Sequence, residues 1–483
     1  MDTNAPFDTA ARWIAANEEL IAGLTDRIYD LAEPGFCEEE SAEALCRLLA
    51  ENGFSIERGV AGLPTAFVAR WGSGRPVIGL TCEYDATPGE RQGPVPYPEA
   101  ARDRHSGFTD LHNGIGVASA AAAVAIAEAV AAAGIDGSVV VFGTPVEKLC
   151  VGKPFMARAG CFEGLDAVIA WHPRPYTTVE FDLGPGMQQG EIFDFYGKSA
   201  YSARPWTGIN ALDAATLMNV IMQFMREHLP RDDRATITEM VTRGGEHLTS
   251  IPGHAQIWFI HRATTREGIA RTSAVLSRAA EAACVAIGTT FKRRIISATR
   301  PWLPNHKLAE LCFRNLQRAG APKFSQEAKA FANKVLENLG REPDPAPYDE
   351  DLTDIRAGIT RDFAGGADDV NEFCWHAPTA RIYVAHGLRT THIPNWARAA
   401  FCRGVTAHPT VIAAARAVAF SALDLMTDPQ ALAEATEEWK QRAEAGGWPG
   451  PYIPEDTRPP LDDESIPAYA REHLLRRLLR ERT

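Results

Sequence analysis

Three short apolar runs, each followed by polar residues, constrain the fold of this 483-residue chain most strongly. They span residues 76–82, 137–143 and 166–171, and long helical patterns separate them, most clearly over 114–134. Short buried strands that alternate with helices are typical of an α/β domain in which helices cover a largely parallel sheet. We therefore predict such a domain, and we expect polar chemistry at the carboxyl ends of its strands.

The chain is long enough for more than one core, and its pattern changes after about residue 187. Segments 190–199 and 255–262 alternate like half-exposed strands, which predicts an inserted α+β domain. A basic run over 471–482 is interleaved with leucines and predicts an amphipathic helix packed on the body. The predicted boundaries are 1–187 and 301–430 for the α/β domain, 188–300 for the insert, and 431–483 for a C-terminal helix and proline-rich strap.

The composition is ordinary for a soluble globular enzyme. Hydrophobic residues make up 45% of the chain, and the formal charge of −13 argues against a nucleic-acid surface, which needs clustered Lys and Arg. The most apolar stretch, 117–135, carries Glu128, so we predict a buried helix rather than a membrane span. The N-terminus lacks the order of a signal peptide and the nine cysteines lack paired spacings, so we expect a cytoplasmic protein with reduced thiols.

Asp110 and His112 form a candidate metal-binding pair, because they lie two residues apart and precede a long helix. In an extended segment, alternate side chains share a side, so both groups can face one ion. A carboxylate and an imidazole suit Zn²⁺, Mn²⁺ or Co²⁺. The alternative is that Asp110 only caps the helix, and the presence of further histidines in the chain argues against it.

Glu147 and Lys148 follow the second apolar run. A glutamate at this place can take a proton from water, whose pKa a metal ion lowers to about 7. A second ion would need an anionic side chain beside Glu147, and the chain offers an ammonium group instead. Both residues have a simpler alternative, which is that they are solvated side chains at the end of a strand.

His172 and His392 complete the candidate site. His172 ends the third apolar run between Trp171 and Pro173, where a buried imidazole needs polar partners. His392 lies in a loop rich in polar groups, over residues 389–395. We expect His172 to bind the metal ion and His392 to orient the substrate.

The motifs resemble those of the aminoacylase/carboxypeptidase-like metallopeptidase family, in the p-aminobenzoyl-glutamate hydrolase branch. The resemblance runs through nearly the whole chain, in the same order, and rests on these segments: 83–89 (Glu-Tyr-Asp-Ala-Thr-Pro-Gly), 143–145, 171–173, 208–211 and 369–370. It implies a zinc-peptidase-like α/β catalytic domain with a ferredoxin-like lid, inserted over 188–300, that dimerises. It also implies a metal-dependent hydrolase of C–N bonds.

Three departures from the family pattern fall on residues that carry its chemistry. Where the branch usually has Cys-Gly-His, this chain has Asp110-Leu111-His112, and the paired glutamates of the family become Glu147-Lys148. The lid histidine of an Ala-His-Ala motif, which stabilises the oxyanion of amide cleavage in the family, is replaced by Tyr201. A tyrosine can donate a hydrogen bond, but with a reference pKa of about 10 it cannot carry a positive charge.

These departures favour one divalent ion per chain and a C–N bond other than a peptide bond. Our first hypothesis is an aminohydrolase that replaces the ring amine of a small electron-poor aromatic carboxylate by hydroxyl and releases ammonia, as a relative does with 5-nitroanthranilate. In this hypothesis Asp110, His112 and His172 hold the ion. Glu147 is the base and Lys148 supplies positive charge. The predicted substrate-binding residues are Tyr201, Arg204, Arg262 and His392.

Two alternatives remain open. The chain is an amide hydrolase on p-aminobenzoyl-glutamate or an N-acyl amino acid, with His392 completing a second metal site, or it is a non-catalytic protein that binds a ligand as part of a larger assembly. As partners we expect a small aromatic carboxylate as the substrate, neither a nucleic acid nor a membrane, and further copies of this chain in a homo-oligomer assembled through the lid.

Overall fold

The structure is a computed structural model that describes residues 4–99, 106–182, 184, 186–357, 366–390, 392–447, 450–461 and 470. Its helices are α1 (Ala5–Ala16), α2 (Glu18–Leu31), α3 (Glu39–Glu51), α4 (His112–Ala133), α5 (Gly152–Arg158), α6 (Ala211–Met225), α7 (Arg266–Ile287), α8 (His306–Ala319), α9 (Gln326–Asn338), α10 (Asn395–Ala400), α11 (His408–Thr427) and α12 (Pro429–Gly446). Its strands are β1 (Ser55–Arg58), β2 (Phe67–Gly72), β3 (Val77–Cys82), β4 (Ser138–Gly143), β5 (Ala167–Arg174), β6 (Thr178–Val179), β7 (Met187–Tyr196), β8 (Ala200–Tyr201), β9 (Thr236–Arg243), β10 (Ser250–Ile251), β11 (His254–Ala263), β12 (Thr290–Ala298) and β13 (Thr379–Ala385).

The main sheet has seven strands in the order β1-β2-β4-β3-β5-β13-β6. The four central strands β4, β3, β5 and β13 are parallel, whereas β2 and β6 run antiparallel to them on either side, and β1 pairs antiparallel with β2 at the edge. The predicted α/β class is therefore confirmed, and the sheet is mixed rather than largely parallel. Antiparallel strands at the sides of a parallel sheet are common in α/β proteins, because only the central strands need helices on both faces.

Two apolar helices form the centre of the hydrophobic core. Helices α4 and α11 are long and apolar enough to cross a membrane, but 83% and 78% of their most apolar windows are buried inside the structure. They pack on each other, and α4 also contacts β3 and β4. This packing agrees with the predicted buried helix over 117–135. The residues of α4 are buried on all faces of the helix, and most of them are apolar.

A separate four-stranded antiparallel sheet, in the order β12-β7-β11-β9, spans residues 187–298 and carries helices α6 and α7. Its own core includes Phe193, Met218, Ile257 and Leu276. The sequence patterns pointed to β7 and β11 and missed β9 and β12. Strand β9 lies at the edge of this sheet and is largely exposed, so it lacks the alternation that marks a half-buried strand. The predicted terminal helix over 471–482 lies outside the described residues.

The start of α4 approaches the end of β3 so closely that only glycine fits. A Cβ atom added at Gly116 would lie 2.6 Å from the carbonyl oxygen of Glu83. The thiol of Cys82 donates to the Gly116 carbonyl across the same contact, at 3.4 Å. This contact fixes α4, which begins at His112, against the carboxyl end of β3.

We predict that Gly116→Ala lowers the free energy of unfolding by about 1–3 kcal/mol, because overpacking must push the helix away from the sheet. Gly23→Ala is the matched control, since a Cβ at that exposed position of α2 meets nothing within 4 Å. We expect the control to stabilise the protein by about 0.5–1 kcal/mol through helix propensity. Denaturant titration measures both, and equal effects of the two substitutions would contradict the close-contact argument.

Candidate metal centre

The candidate site residues lie together at one edge of the main sheet. They come from the carboxyl ends of β3, β4 and β5 and from the first turn of α4. Glu83 and Asp85 follow β3, and Glu147 with Lys148 forms a short 3₁₀ turn after β4. His172 lies in β5. The expected convergence of polar groups at one edge of the parallel strands is thus found, and the residues it unites are Asp85, Asp110, His112, Glu147, Lys148 and His172.

Strained turns position the site. Leu111 and Val146, the residues before His112 and Glu147, have left-handed φ angles of 59°, and Cys150 has 51°. Each such conformation costs a non-glycine residue on the order of 1–3 kcal/mol and persists only where the surroundings enforce it. Residues 110–112 are not an extended segment, because Leu111 turns the chain so that His112 becomes the first residue of α4.

His112 is oriented as a metal ligand. Its Nδ1 donates to Asp85 Oδ1 at 2.8 Å, and this hydrogen bond leaves Nε2 directed at the other acidic groups. A carboxylate behind a histidine is the usual support of a metal-binding imidazole, since it fixes the tautomer and the ring orientation. The carboxylate oxygens around Nε2 are those of Asp110 at 3.4 Å, Glu147 at 3.5 Å and Glu83 at 3.6 Å.

His172 offers a second imidazole nitrogen. Its Nδ1 donates to the Pro173 carbonyl at 2.9 Å, so Nε2 is available, and its ring lies edge-on to His112 at 6.1 Å between centroids. Burial, with Arg381 and Arg174 nearby, lowers the pKa of His172 well below its ordinary value. The imidazole is therefore neutral, which is the form that binds a metal ion.

Glu83 supplies the carboxylate that the sequence did not single out. Its Oε2 is buried without a hydrogen-bond partner, while its Oε1 pairs with Lys153 at 2.8 Å. Ligand atoms of Glu83, His112 and His172 all lie within 4.8 Å of one another. A buried, unpartnered carboxylate oxygen is costly, and a cation beside it would remove that cost. These three residues therefore fit one divalent transition-metal ion.

Lys148 points into the same cluster. Its Nζ lies 2.6 and 2.5 Å from the two oxygens of Asp110, 3.0 Å from His112 Nε2 and 3.9 Å from Glu147 Oε2. Burial opposes the charged amine, but Asp110 and Glu147 outweigh it and raise the pKa of Lys148 above its ordinary value. Burial likewise opposes the charged Asp110, but His112 and Lys148 lower its pKa well below its ordinary value. Both oxygens of the predicted ligand Asp110 are thus engaged by an ammonium group.

The position of Glu147 and its raised pKa suit a proton acceptor. It is buried, and burial together with the nearby Asp368 raises its pKa well above the ordinary value. A carboxylate with a raised pKa takes up a proton at a pH at which exposed glutamates do not. The role of Glu147 as the base remains a prediction, and this environment supports it.

A second set of buried ion pairs lies next to the cluster and supports it. Lys153 pairs with Asp369 as well as with Glu83, and Arg381 pairs with Asp368. Asp368 and Asp369 come from the segment before β13, so these pairs tie β3, α5 and the β13 region together. The sequence singled out 369–370 only through the family resemblance.

The four predicted substrate-binding residues lie apart from the cluster. Tyr201 and Arg204 are exposed in the inserted domain, and His392 is exposed in the loop before α10. Arg262 lies on β11 and is half-buried, with its Nε buried and without a partner. No measured contact ties any of the four to the donor atoms among the described residues, so their roles remain predictions.

A cavity of about 130 Å³ opens beside His172 and Asp110. It includes His386, which the sequence analysis did not single out. Burial lowers the pKa of His386 to about 4, and its Nδ1 is buried without a partner. The other lining residues are Thr109, Pro173, Arg174, Pro175, Gly387, Leu388, Thr390, Ile393, Arg398 and Phe401.

The chain is similar to known hydrolases. No family model matches the chain. The B component of the p-aminobenzoyl-glutamate hydrolase of Escherichia coli (strain K12) is 28% identical over 479 residues, which is 92% of this chain and 97% of the relative. This chain is similar to that hydrolase over nearly its whole length. It is a metal-dependent hydrolase of a C–N bond, and the predicted resemblance is confirmed.

Solved structures show the same M20 fold. An aminobenzoyl-glutamate utilization protein from Klebsiella pneumoniae superimposes with a TM-score of 0.55 at 14% identity, covering 86% of this chain and 97% of the other. A dinuclear metal-binding M20 peptidase from Bacillus subtilis gives 0.50 at 17% identity, covering 86% and 99%.

We predict that Asp85→Asn lowers the affinity for Mn²⁺ or Zn²⁺ by about 10–100-fold, because the amide no longer fixes the His112 ring as a carboxylate does. Asp26→Asn is the matched control, since Asp26 accepts from His408 at 2.9 Å in a similar pair outside the site. Titration against a competing chelator measures both affinities. An unchanged affinity in Asp85→Asn would exclude His112 as a ligand oriented by Asp85.

Proposed function

We propose that this chain is a single-metal amide hydrolase that cleaves an N-acyl amino acid of the p-aminobenzoyl-glutamate type. The observation that carries the proposal is the position of Lys148 Nζ, at 2.5 and 2.6 Å from the Asp110 oxygens and 3.0 Å from His112 Nε2. The substrate class comes from the relative that aligns over 97% of its length, which is named for that substrate.

Glu83, His112 and His172 would hold the ion, and the mixed nitrogen and oxygen donors suit Mn²⁺, Zn²⁺ or Co²⁺. When bound, the ion polarises the amide carbonyl and makes water more acidic. We infer that no second ion binds beside Asp110, because the ammonium group of Lys148 already neutralises that carboxylate. Lys148 supplies one fixed positive charge at that place, and we infer that it helps to stabilise the negative charge of the intermediate.

Glu147 moves the proton in this proposal. It accepts a proton from the attacking water as the oxygen–carbon bond forms, and it gives that proton to the departing nitrogen as the carbon–nitrogen bond breaks. The products are a carboxylic acid and an amine, and no oxidant or further reactant is needed. The buried position and raised pKa of Glu147 support this shuttle.

Hydrolysis of a ring amine is the second candidate, and a specific observation favours it. Beside Asp110, the singly charged ammonium group of Lys148 takes the place that a second, doubly charged metal ion would occupy. In addition, an exposed tyrosine, Tyr201, stands where the family resemblance places the lid histidine. An electron-poor ring delocalises the charge of its own addition intermediate and so needs less of this apparatus. The relatives reported above act on amides or peptides, and for this reason we place ring deamination second.

We also propose that the chain forms a homo-oligomer through the inserted domain and that it is located in the cytoplasm. The inserted domain exposes large apolar side chains on α6 and β9, among them Val220, Phe224, Met240 and Val241. Such patches often mark contacts between protein chains. All nine cysteines are free thiols, as expected in a reducing compartment.

Glu147→Gln should lower kcat by about 10²–10⁴-fold while substrate binding is retained, because the amide cannot accept the proton. The assay is release of p-aminobenzoate from p-aminobenzoyl-glutamate by the metal-loaded protein. Glu128→Gln, an exposed position on α4, is the control and should not change the rate. Full activity in Glu147→Gln would remove Glu147 from the mechanism, and the absence of any metal-dependent product would favour a non-catalytic role.

The two candidate reactions give different products and can be compared in one experiment. We expect p-aminobenzoate from p-aminobenzoyl-glutamate and no ammonia from 5-nitroanthranilate. Ammonia from 5-nitroanthranilate without amide cleavage would reverse the order of the two candidates. A chelator should abolish the observed activity in either case.

A further inference from the structure

The cavity beside the metal centre carries an excess of positive charge. Arg174 lies at the end of β5, two residues after His172, and Arg398 lies on α10. Asp110 is the acidic residue in the cavity lining, and both of its oxygens are bonded to Lys148. The lining therefore attracts an anion, although the metal centre next to it is rich in carboxylates.

Arg174 has no ion-pair partner in the described part of the chain, and its Nε is buried without a hydrogen-bond partner. Its guanidinium lies over the ring of Tyr383, with Cζ 5.2 Å from the ring centroid. This contact fixes the plane of the guanidinium and leaves its N–H groups available. A half-buried, fixed and unpaired guanidinium is suited to a bidentate contact with a carboxylate.

Apolar side chains form much of the remaining lining, and they are Pro173, Pro175, Leu388, Ile393 and Phe401. Such a surface accepts an aromatic ring or an alkyl group but makes no polar bonds to it. His386 adds one buried polar atom, its Nδ1, which has no partner. Together the lining combines an anion-binding side with an apolar side.

We propose that Arg174 binds a carboxylate group of the substrate in this cavity, and that the cavity selects molecules in which the carboxylate is joined to an aromatic or apolar body. This inference rests on the proposed function in one respect, which is that the molecule bound in the cavity is the substrate. Arg174 thereby becomes a specificity-determining residue, in addition to the residues that carry out the reaction. It also connects substrate recognition to His172, which lies two positions earlier on the same strand.

Calorimetric titration of the Mn²⁺-loaded protein with benzoate, and with benzamide as its uncharged analogue, tests the proposal without requiring turnover. We expect benzoate to bind at least 10-fold more tightly than benzamide, and we expect Arg174→Gln to weaken benzoate binding at least 10-fold. Arg174→Lys, which keeps the charge, should bind benzoate with an intermediate affinity. Arg389→Gln is the matched control, because Arg389 is an exposed arginine on the neighbouring loop.

Equal binding of benzoate and benzamide, or an unchanged benzoate affinity in Arg174→Gln, would overturn the proposal. Circular dichroism establishes that each variant is folded, and Arg174→Lys keeps the test decisive if Arg174→Gln does not fold. Benzoate binding that depends on Arg174 in a protein that hydrolyses no amide would retain this site and reject the proposed reaction. Amide hydrolysis with an unchanged KM in Arg174→Gln would retain the proposed reaction and reject this carboxylate site.

Discussion

The ion pair between Lys148 and Asp110 is the interaction on which the account of this site depends. In the proposed single-metal site, the Asp110 carboxylate beside His112 would otherwise be free to bind a second ion, and here an ammonium group contacts both of its oxygens. This ion pair is partly buried. Such a pair contributes little to stability, because desolvation offsets most of its attraction, but losing one partner leaves a poorly solvated charge uncompensated. The pair is therefore best understood as a device that sets the charge of the site.

The scaffold around this pair is built to hold groups that would not otherwise assemble. Left-handed turns at Leu111 and Val146 aim His112 and Glu147 at each other, and Gly116 lets α4 lie against β3. Beneath them, Lys153 neutralises part of the acidic charge of Glu83 and Asp369. Rigid support of this kind keeps the donor atoms in place for a metal ion and limits the rearrangement that catalysis requires.

The fold and most of the centre follow from the sequence, because strand ends and helix starts are marked by apolar runs and by the polar residues after them. His112, Glu147, Lys148 and His172 were found in this way. Glu83 was quoted only as part of a motif, since an unpartnered carboxylate oxygen becomes evident only when its neighbours are known. His386 and Arg174 were missed for a related reason, because β5, β13 and α10 meet at the cavity although they are far apart in the chain.

The number of metal ions bound by each chain tests the central claim most directly. Native mass spectrometry of the purified protein, after titration with Mn²⁺ or Zn²⁺, counts them without reference to any substrate. The account predicts that binding saturates at one ion per chain, with Lys148 retaining its contact with Asp110. Saturation at two ions would mean that Lys148 gives way to a second cation, and it would contradict the single-metal site.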